Sequence, residues 1–103
     1  MADASLRLDK FLWFIRLTRR RAVAHEIAEQ GHMRIDGRVV DRAHAAVRVG
    51  NVLSFPLNGR VRVIRIEALP DRRGPPYEAQ SCYTDLSPDH LRADDVDEAR
   101  RPT

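Results

Sequence analysis

Apolar residues recur with a helical period in the first third of the chain and then switch to alternation. Leu8, Phe11, Leu12 and Ile15 fall at i, i+3, i+4 and i+7, which predicts an amphipathic helix over about Leu6 to Leu17 with Ser5 as its cap. Trp13, Phe14 and Leu17 lie largely off that stripe, so this helix is apolar nearly all round and needs a second cover. A second helix from Arg20 or Arg21 to Gln30 turns Val23, Ala24, Ile27 and Ala28 inward and His25, Glu26 and Glu29 outward, with Gly31 as its stop. On that wheel Arg20 would point toward the Ile27 face, which an arginine resists, so Arg20 belongs at the cap or in the turn, reaching outward.

After Gly31 the period becomes two. Met33 and Ile35 alternate with His32, Arg34 and Asp36, and Asp36-Gly37 is a hairpin signal leading into Arg38-Val39-Val40. Val47 and Val49, then Gly50-Asn51, then Val52 to Phe55 mark a turn feeding a third strand. Asn58-Gly59 turns the chain into a last strand, Arg60 to Leu69. In it Val61 and Val63 share one face while Ile64, Ile66 and Ala68 take the other, which calls for a bulge or a change of packing environment. Pro70 to Pro76 breaks the pattern. Beyond it Ala79, Cys82, Tyr83 and Leu86 recur at helical spacing and predict a short helix that would cover Trp13 and Phe14.

The expected fold is therefore α+β: two N-terminal helices packed on a small, twisted, mainly antiparallel sheet, plus a short C-terminal helix. Residues 1–69 form the main domain, residues 70–88 a loop and helix packed on it, and residues 89–103 an acidic, mobile tail without an apolar stripe. At 103 residues there is room for one core that buries roughly 60–65% of the unfolded surface, and not for a catalytic domain beside a binding domain.

Charge sharpens this picture. The formal net charge is only +3, but residues 1–65 carry Lys10 and twelve arginines against six acids, whereas residues 66–103 carry five arginines against nine acids. A basic body with an acidic end points to a polyanionic partner for the body. The arginine bias suits phosphate forks and stacking on bases, although a genome rich in G and C would produce it too. The single cysteine, Cys82, reads as a small semi-buried apolar residue. Phe11 to Ile15 is bracketed by Asp9, Lys10 and Arg16, so neither a signal peptide nor a membrane span is expected, and a cytoplasmic location is.

Catalytic chemistry finds little purchase. His25-Glu26-Ile27-Ala28-Glu29 opens like the zinc-protease motif H-E-x-x-H, but Glu29 stands where the second histidine belongs, and His25 with Glu29 reads as a solvated helix pair. No phosphate-cradling glycine loop, apolar carboxylate pair or activated nucleophile is visible, so no enzyme, cofactor or metal is expected. The basic residues converge instead. Arg7 and Lys10 share a face of the first helix, Arg16, Thr18, Arg19, Arg20 and Arg21 surround the interhelix turn, and Arg34 and Arg38 flank the Asp36-Gly37 hairpin. His32 and His44 lie within reach of phosphate, though surface histidines are commonly just solvated. Any one of these arginines alone would be an ordinary solvated charge; their clustering in one supersecondary unit favours structured RNA gripped through phosphate and shape.

The run Arg7-Leu8-Asp9-Lys10-Phe11-Leu12-Trp13-Phe14-Ile15-Arg16-Leu17-Thr18, followed by Arg21, Ala24, Ile27, Gly31, Arg34 and Gly37, resembles the S4 RNA-binding domain over residues 6–55. Arg72-Arg73-Gly74-Pro75, Glu78-Ala79 and Tyr83 extend a resemblance to the bacterial heat shock protein 15 family as far as Leu86. The resemblance implies a stand-alone, non-catalytic binder of ribosomal RNA; a monomer is expected. It also implies action on free large ribosomal subunits that still hold a nascent chain on transfer RNA. Related alternatives are a factor that steadies peptidyl-transfer RNA, an RNA-targeting module for an rRNA-modifying enzyme, and a general DNA-binding protein with weak DNA affinity. The RNA-facing residues it implies are Arg7, Lys10, Arg16, Thr18 to Arg21, and Arg34 to Gly37. Two departures stand out: Asp36 where Asn is usual before the hairpin glycine, and Val49-Gly50-Asn51 where Pro-Gly-Asp is common. Relatives often continue into a basic extension, whereas here an acidic stretch holds Asp94, Asp95, Asp97 and Glu98.

Overall fold

A computed structural model describes residues 4–87; the acidic stretch lies outside the described residues. The architecture is α+β. Strand β1 (Leu6–Arg7) leads directly into α1 (Leu8–Phe14), and a six-residue turn leads to α2 (Arg21–Glu29). Then follow β2 (Met33–Ile35), β3 (Arg38–Val40), β4 (Ala46–Val47), β5 (Val52–Leu57), β6 (Arg60–Ile66), α3 (Pro76–Gln80) and β7 (Tyr83–Asp85). β1 and β4 form a two-stranded antiparallel ribbon, and the other five form an antiparallel sheet in the order β3-β2-β5-β6-β7.

The core lies between the helices and one face of the sheet. Leu8, Phe11, Leu12 and Ile15 from α1 and its cap, with Ala24, Ile27 and Ala28 from α2, meet Met33, Leu53, Phe55, Ile64 and Ile66 from the strands. All are buried, as their spacing predicts. Val23 is the exception on α2, at 37% exposed. Its position at the helix's third residue places it at the rim of the apolar stripe.

The two-residue turns form where the sequence marks them. Asp36 and Gly37 have φ of 52° and 84°, and Asn58 and Gly59 have 53° and 79°, the left-handed pair that a tight hairpin needs. The register of β5 with β6 runs without interruption from Val52↔Arg65 to Leu57↔Arg60. No bulge is therefore needed: Ile64 and Ile66 face the core opposite Leu53 and its neighbours, and Val61 lies on the outer face, 52% exposed.

Three expectations need correcting. Ser5 does not cap α1, because Leu6 and Arg7 are extended and pair with Val47 and Ala46. The first N–H groups of α1 are instead satisfied from the chain before β4: Leu8 N donates to the Ala45 carbonyl at 2.8 Å and Asp9 N to that of Ala43 at 3.1 Å. Next, the helical spacing of Ala79 to Leu86 is divided between two elements. α3 ends at Gln80, and Tyr83–Asp85 pairs with β6 because the open edge of that strand offers hydrogen bonds a one-turn helix cannot match. Finally, the group stacked over Trp13 is Arg73, its guanidinium 5.3 Å from the ring centroid, whereas Phe14 borders α3.

Candidate nucleic-acid interface

α1 and α2 meet around a buried carboxylate. Asp9 is only 2% exposed, in the first turn of α1, and its oxygens accept two hydrogen bonds from Arg7 (Nε and Nη2, both 3.0 Å) and one from the Lys10 backbone N–H at 2.8 Å. Arg21, the first residue of α2, brings Nη2 to 3.6 Å, and His25 brings Nδ1 to 3.8 Å. Burial pushes the Asp9 pKa up, but the Arg7 hydrogen bonds and charge, with Arg21 and the Lys10 N–H, outweigh it and leave Asp9 below its ordinary value of 3.8. An anion at a helix start also suits the helix dipole. His25 Nε2 lies 3.2 Å from Glu29 Oε1, the expected i, i+4 pair, and Glu29 Oε2 accepts from Ala43 N at 3.2 Å. Arg7 and Arg21 are thereby fixed side by side.

The turn between the helices is built from backbone and side-chain ties. Ile15 closes α1, Arg16 adopts a left-handed φ of 65°, and its Nε donates to the Gly74 carbonyl at 2.6 Å. Thr18 is 4% exposed, and its hydroxyl donates to the Arg20 carbonyl at 3.0 Å. Its place is inside the turn as a support. That same Arg20 carbonyl accepts from Val23 and Ala24 N–H groups at the start of α2. Arg20 is the N-cap residue, extended and exposed, as its position on the wheel requires. Among the described residues no carboxylate pairs with Arg19 or Arg20.

Around the β2–β3 hairpin the basic residues divide. Arg34 lies opposite Val39 and Ser54 on the outer face of the sheet, its Nη1 donating to the Gly37 carbonyl at 3.3 Å, whereas Arg38 lies opposite Ile35 on the other face. The pleat separates them. Asp36 is held by the loop that follows β4: its carboxylate accepts from Asn51 Nδ2 at 2.7 Å and from Val52 N at 2.8 Å. An anion beside the basic face is thus occupied internally. On the Arg38 side an open groove is lined by Ile35, Asp36, Arg38, Val40, Arg48 and Asn51. His32 is exposed at the entrance to β2.

The arrangement offers three cationic groups: Arg7 with Arg21 at the helix junction, Arg16 with Arg19 and Arg20 in the turn, and Arg38 with Arg48 beside the hairpin. Arg19 and Arg20 offer whole guanidinium forks suited to a phosphate backbone, whereas Arg7 and Arg16 keep only the donors not given to Asp9 and to the Gly74 carbonyl. Among the described residues no cluster of His, Cys, Asp and Glu could hold a metal ion. Among the described residues no helix is long and apolar enough to cross a membrane. Reasoning from spacing overlooked Asp9, Arg48 and Arg73. Asp9 was readable in principle as a lone carboxylate inside an apolar stripe, but its cationic partners come from before and beyond the helix.

The S4 domain family model matches residues 6–53, which contain β1, both N-terminal helices and the hairpin. A heat shock protein 15 homolog of Haemophilus influenzae is 31% identical over 101 residues, 98% of this chain and 76% of the relative. The RQC P-site tRNA stabilizing factor of Bacillus subtilis is 34% identical over 86 residues, 84% of this chain and 98% of the relative. A solved trimeric structure of heat shock protein 15 from Vibrio cholerae superposes with a TM-score of 0.77 at 24% identity, over 96% of this chain and 98% of that one, and has the same fold. The chain belongs to the S4-domain family that includes heat shock protein 15 and the RQC P-site tRNA stabilizing factors.

Proposed function

We propose that this protein is a non-catalytic binder of structured ribosomal RNA that acts on free large ribosomal subunits still carrying a nascent chain on transfer RNA. The observation that carries the reading is the interhelix turn, where Arg19 and Arg20 project without a carboxylate partner among the described residues, beside Arg7 and Arg21 fixed on Asp9. Phosphate is the ligand that such forks recognise, and the site lacks the aromatic platform that sequence-specific reading of splayed bases uses. The resemblance to the heat shock protein 15 family implies the ribosomal setting, and the relative named an RQC P-site tRNA stabilizing factor supports an RNA partner.

A second reading, stabilisation of peptidyl-transfer RNA in ribosome quality control, is favoured by the Bacillus subtilis relative, 98% of which is spanned by the aligned residues. Ultraviolet crosslinking in cells followed by sequencing of the bound RNA tests both. Reads concentrated in large-subunit rRNA support the first, and reads dominated by transfer RNA support the second. Reads spread evenly over messenger RNA, or equal affinity for duplex DNA and ribosomal RNA, contradict both.

A further inference from the structure

We infer that Arg73 is a positioning residue for the basic turn: from a loop more than fifty residues away, it holds residues 13–18 in the conformation from which Arg19 and Arg20 project. The inference rests on the proposed RNA-binding role of that turn.

Helix α1 ends at Phe14, and the bend after it is closed locally by Arg16 N to the Trp13 carbonyl at 3.0 Å and Leu17 N to the Leu12 carbonyl at 3.2 Å, while residues 15–20 lie outside regular structure. Arg73 adds a side-chain donor that ties this bend across its ends. Its Nη1 donates both to the Trp13 carbonyl and, at 3.2 Å, to the Thr18 carbonyl, bridging the two ends of the bend, while the guanidinium plane sits over the Trp13 ring. Its neighbour Gly74 is buried and accepts from Arg16, the residue at left-handed φ, a conformation that persists in a side-chain-bearing residue only where its surroundings impose it. The loop itself is anchored by Arg72 Nη2 to Glu78 Oε1 at 2.9 Å.

From Thr18 the path continues without a gap. Its hydroxyl meets the Arg20 carbonyl, which receives the first N–H groups of α2. Loop, turn and α2 are therefore linked by consecutive hydrogen bonds, with Arg19 and Arg20 inside the linked segment. Arg73 does not have the arrangement of a phosphate contact, because its recorded partners are two carbonyls and a ring face within the protein. Burial, and then the nearby charge of Arg16, lowers its pKa, which fits a cation turned inward.

A double-mutant cycle separates positioning from direct contact. Affinity for purified large-subunit ribosomal RNA is measured for wild type, R73M, the R19A/R20A pair, and the combination, with folding checked by thermal melts. Positioning predicts that R73M weakens binding about tenfold in the wild-type background and less than about twofold when Arg19 and Arg20 are already gone. Equal factors in the two backgrounds overturn the inference, since Arg73 would then act independently of the turn. Wild-type affinity of R73M overturns it while leaving the RNA assignment intact, provided R19A/R20A is weakened; if R19A/R20A also binds normally, both readings fall. Should R73M not fold, R73K in an amide NMR spectrum decides. Shifts at Arg19 and Arg20 with Phe55 and Ile64 unmoved support positioning, and an unchanged turn contradicts it.

Discussion

Replacing Asp9 with Asn removes one negative charge from the junction of α1 and α2 and preserves its shape. The wild-type carboxylate accepts two hydrogen bonds from Arg7 and one from Lys10 N, with Arg21 at 3.6 Å. Stripping a partner from a fully buried pair costs about 3–5 kcal/mol, and hydrogen bonds to a charged group contribute about 1.5–3 kcal/mol. Here the Arg7 and Arg21 side chains are 45% and 41% exposed, so water can solvate the released cations, and the lower range applies. A loss of about 2 kcal/mol, or roughly 8–16 °C in Tm for a domain this size, is expected at pH 7. Because folding depresses the Asp9 pKa below 3.8, its contribution is present above that pH and disappears as pH falls through the lower folded value. Thermal melts of Asp9→Asn and wild type should therefore differ at pH 7 and converge as the pH is lowered below 3.8. Equal melts at pH 7, or a gap that persists undiminished in acid, would refute the reasoning.

Two further substitutions probe the supports of the interface. Trp13→Ala should cost about 2 kcal/mol, less than the ~3–5 kcal/mol of a fully buried aromatic, because Trp13 is half-buried and covered by Arg73; an unchanged melt would contradict this. Asp36→Ala should lower Tm by releasing Asn51 and Val52, whereas Asp36→Asn, which keeps an acceptor, should lower it less, with RNA affinity no weaker in either. Weaker RNA binding by Asp36→Asn would place the carboxylate in the interface itself.

Features governed by nearby residues were legible in the sequence, and those that depend on distant chain were not. The stripe Leu8, Phe11, Leu12 and Ile15, the stop at Gly31, and the Asp-Gly and Asn-Gly turns follow from rotation per residue and from φ preferences alone, and all are found. By contrast, Leu6 and Arg7 are extended only because β4, forty residues later, offers a partner. Tyr83 to Asp85 carry helix-compatible spacing, yet the exposed edge of β6 draws them into the sheet. The site divides the same way. The arginine cluster stands in the sequence as Arg19-Arg20-Arg21, but pleating sends Arg34 and Arg38 to opposite faces. The roles of Thr18 and Arg73 become visible only when the loop after Pro70 meets the end of α1.

The central claim is that the turn arginines grip ribosomal RNA phosphates, and a salt titration of binding to purified large ribosomal subunits tests it most directly. Wild type should show log K falling linearly with log salt, and the R19A/R20A/R21A variant, still folded by its melt, should bind more weakly with a slope reduced by about 0.7–0.9 per lost contact. A folded triple variant with wild-type affinity and wild-type salt dependence would contradict the account.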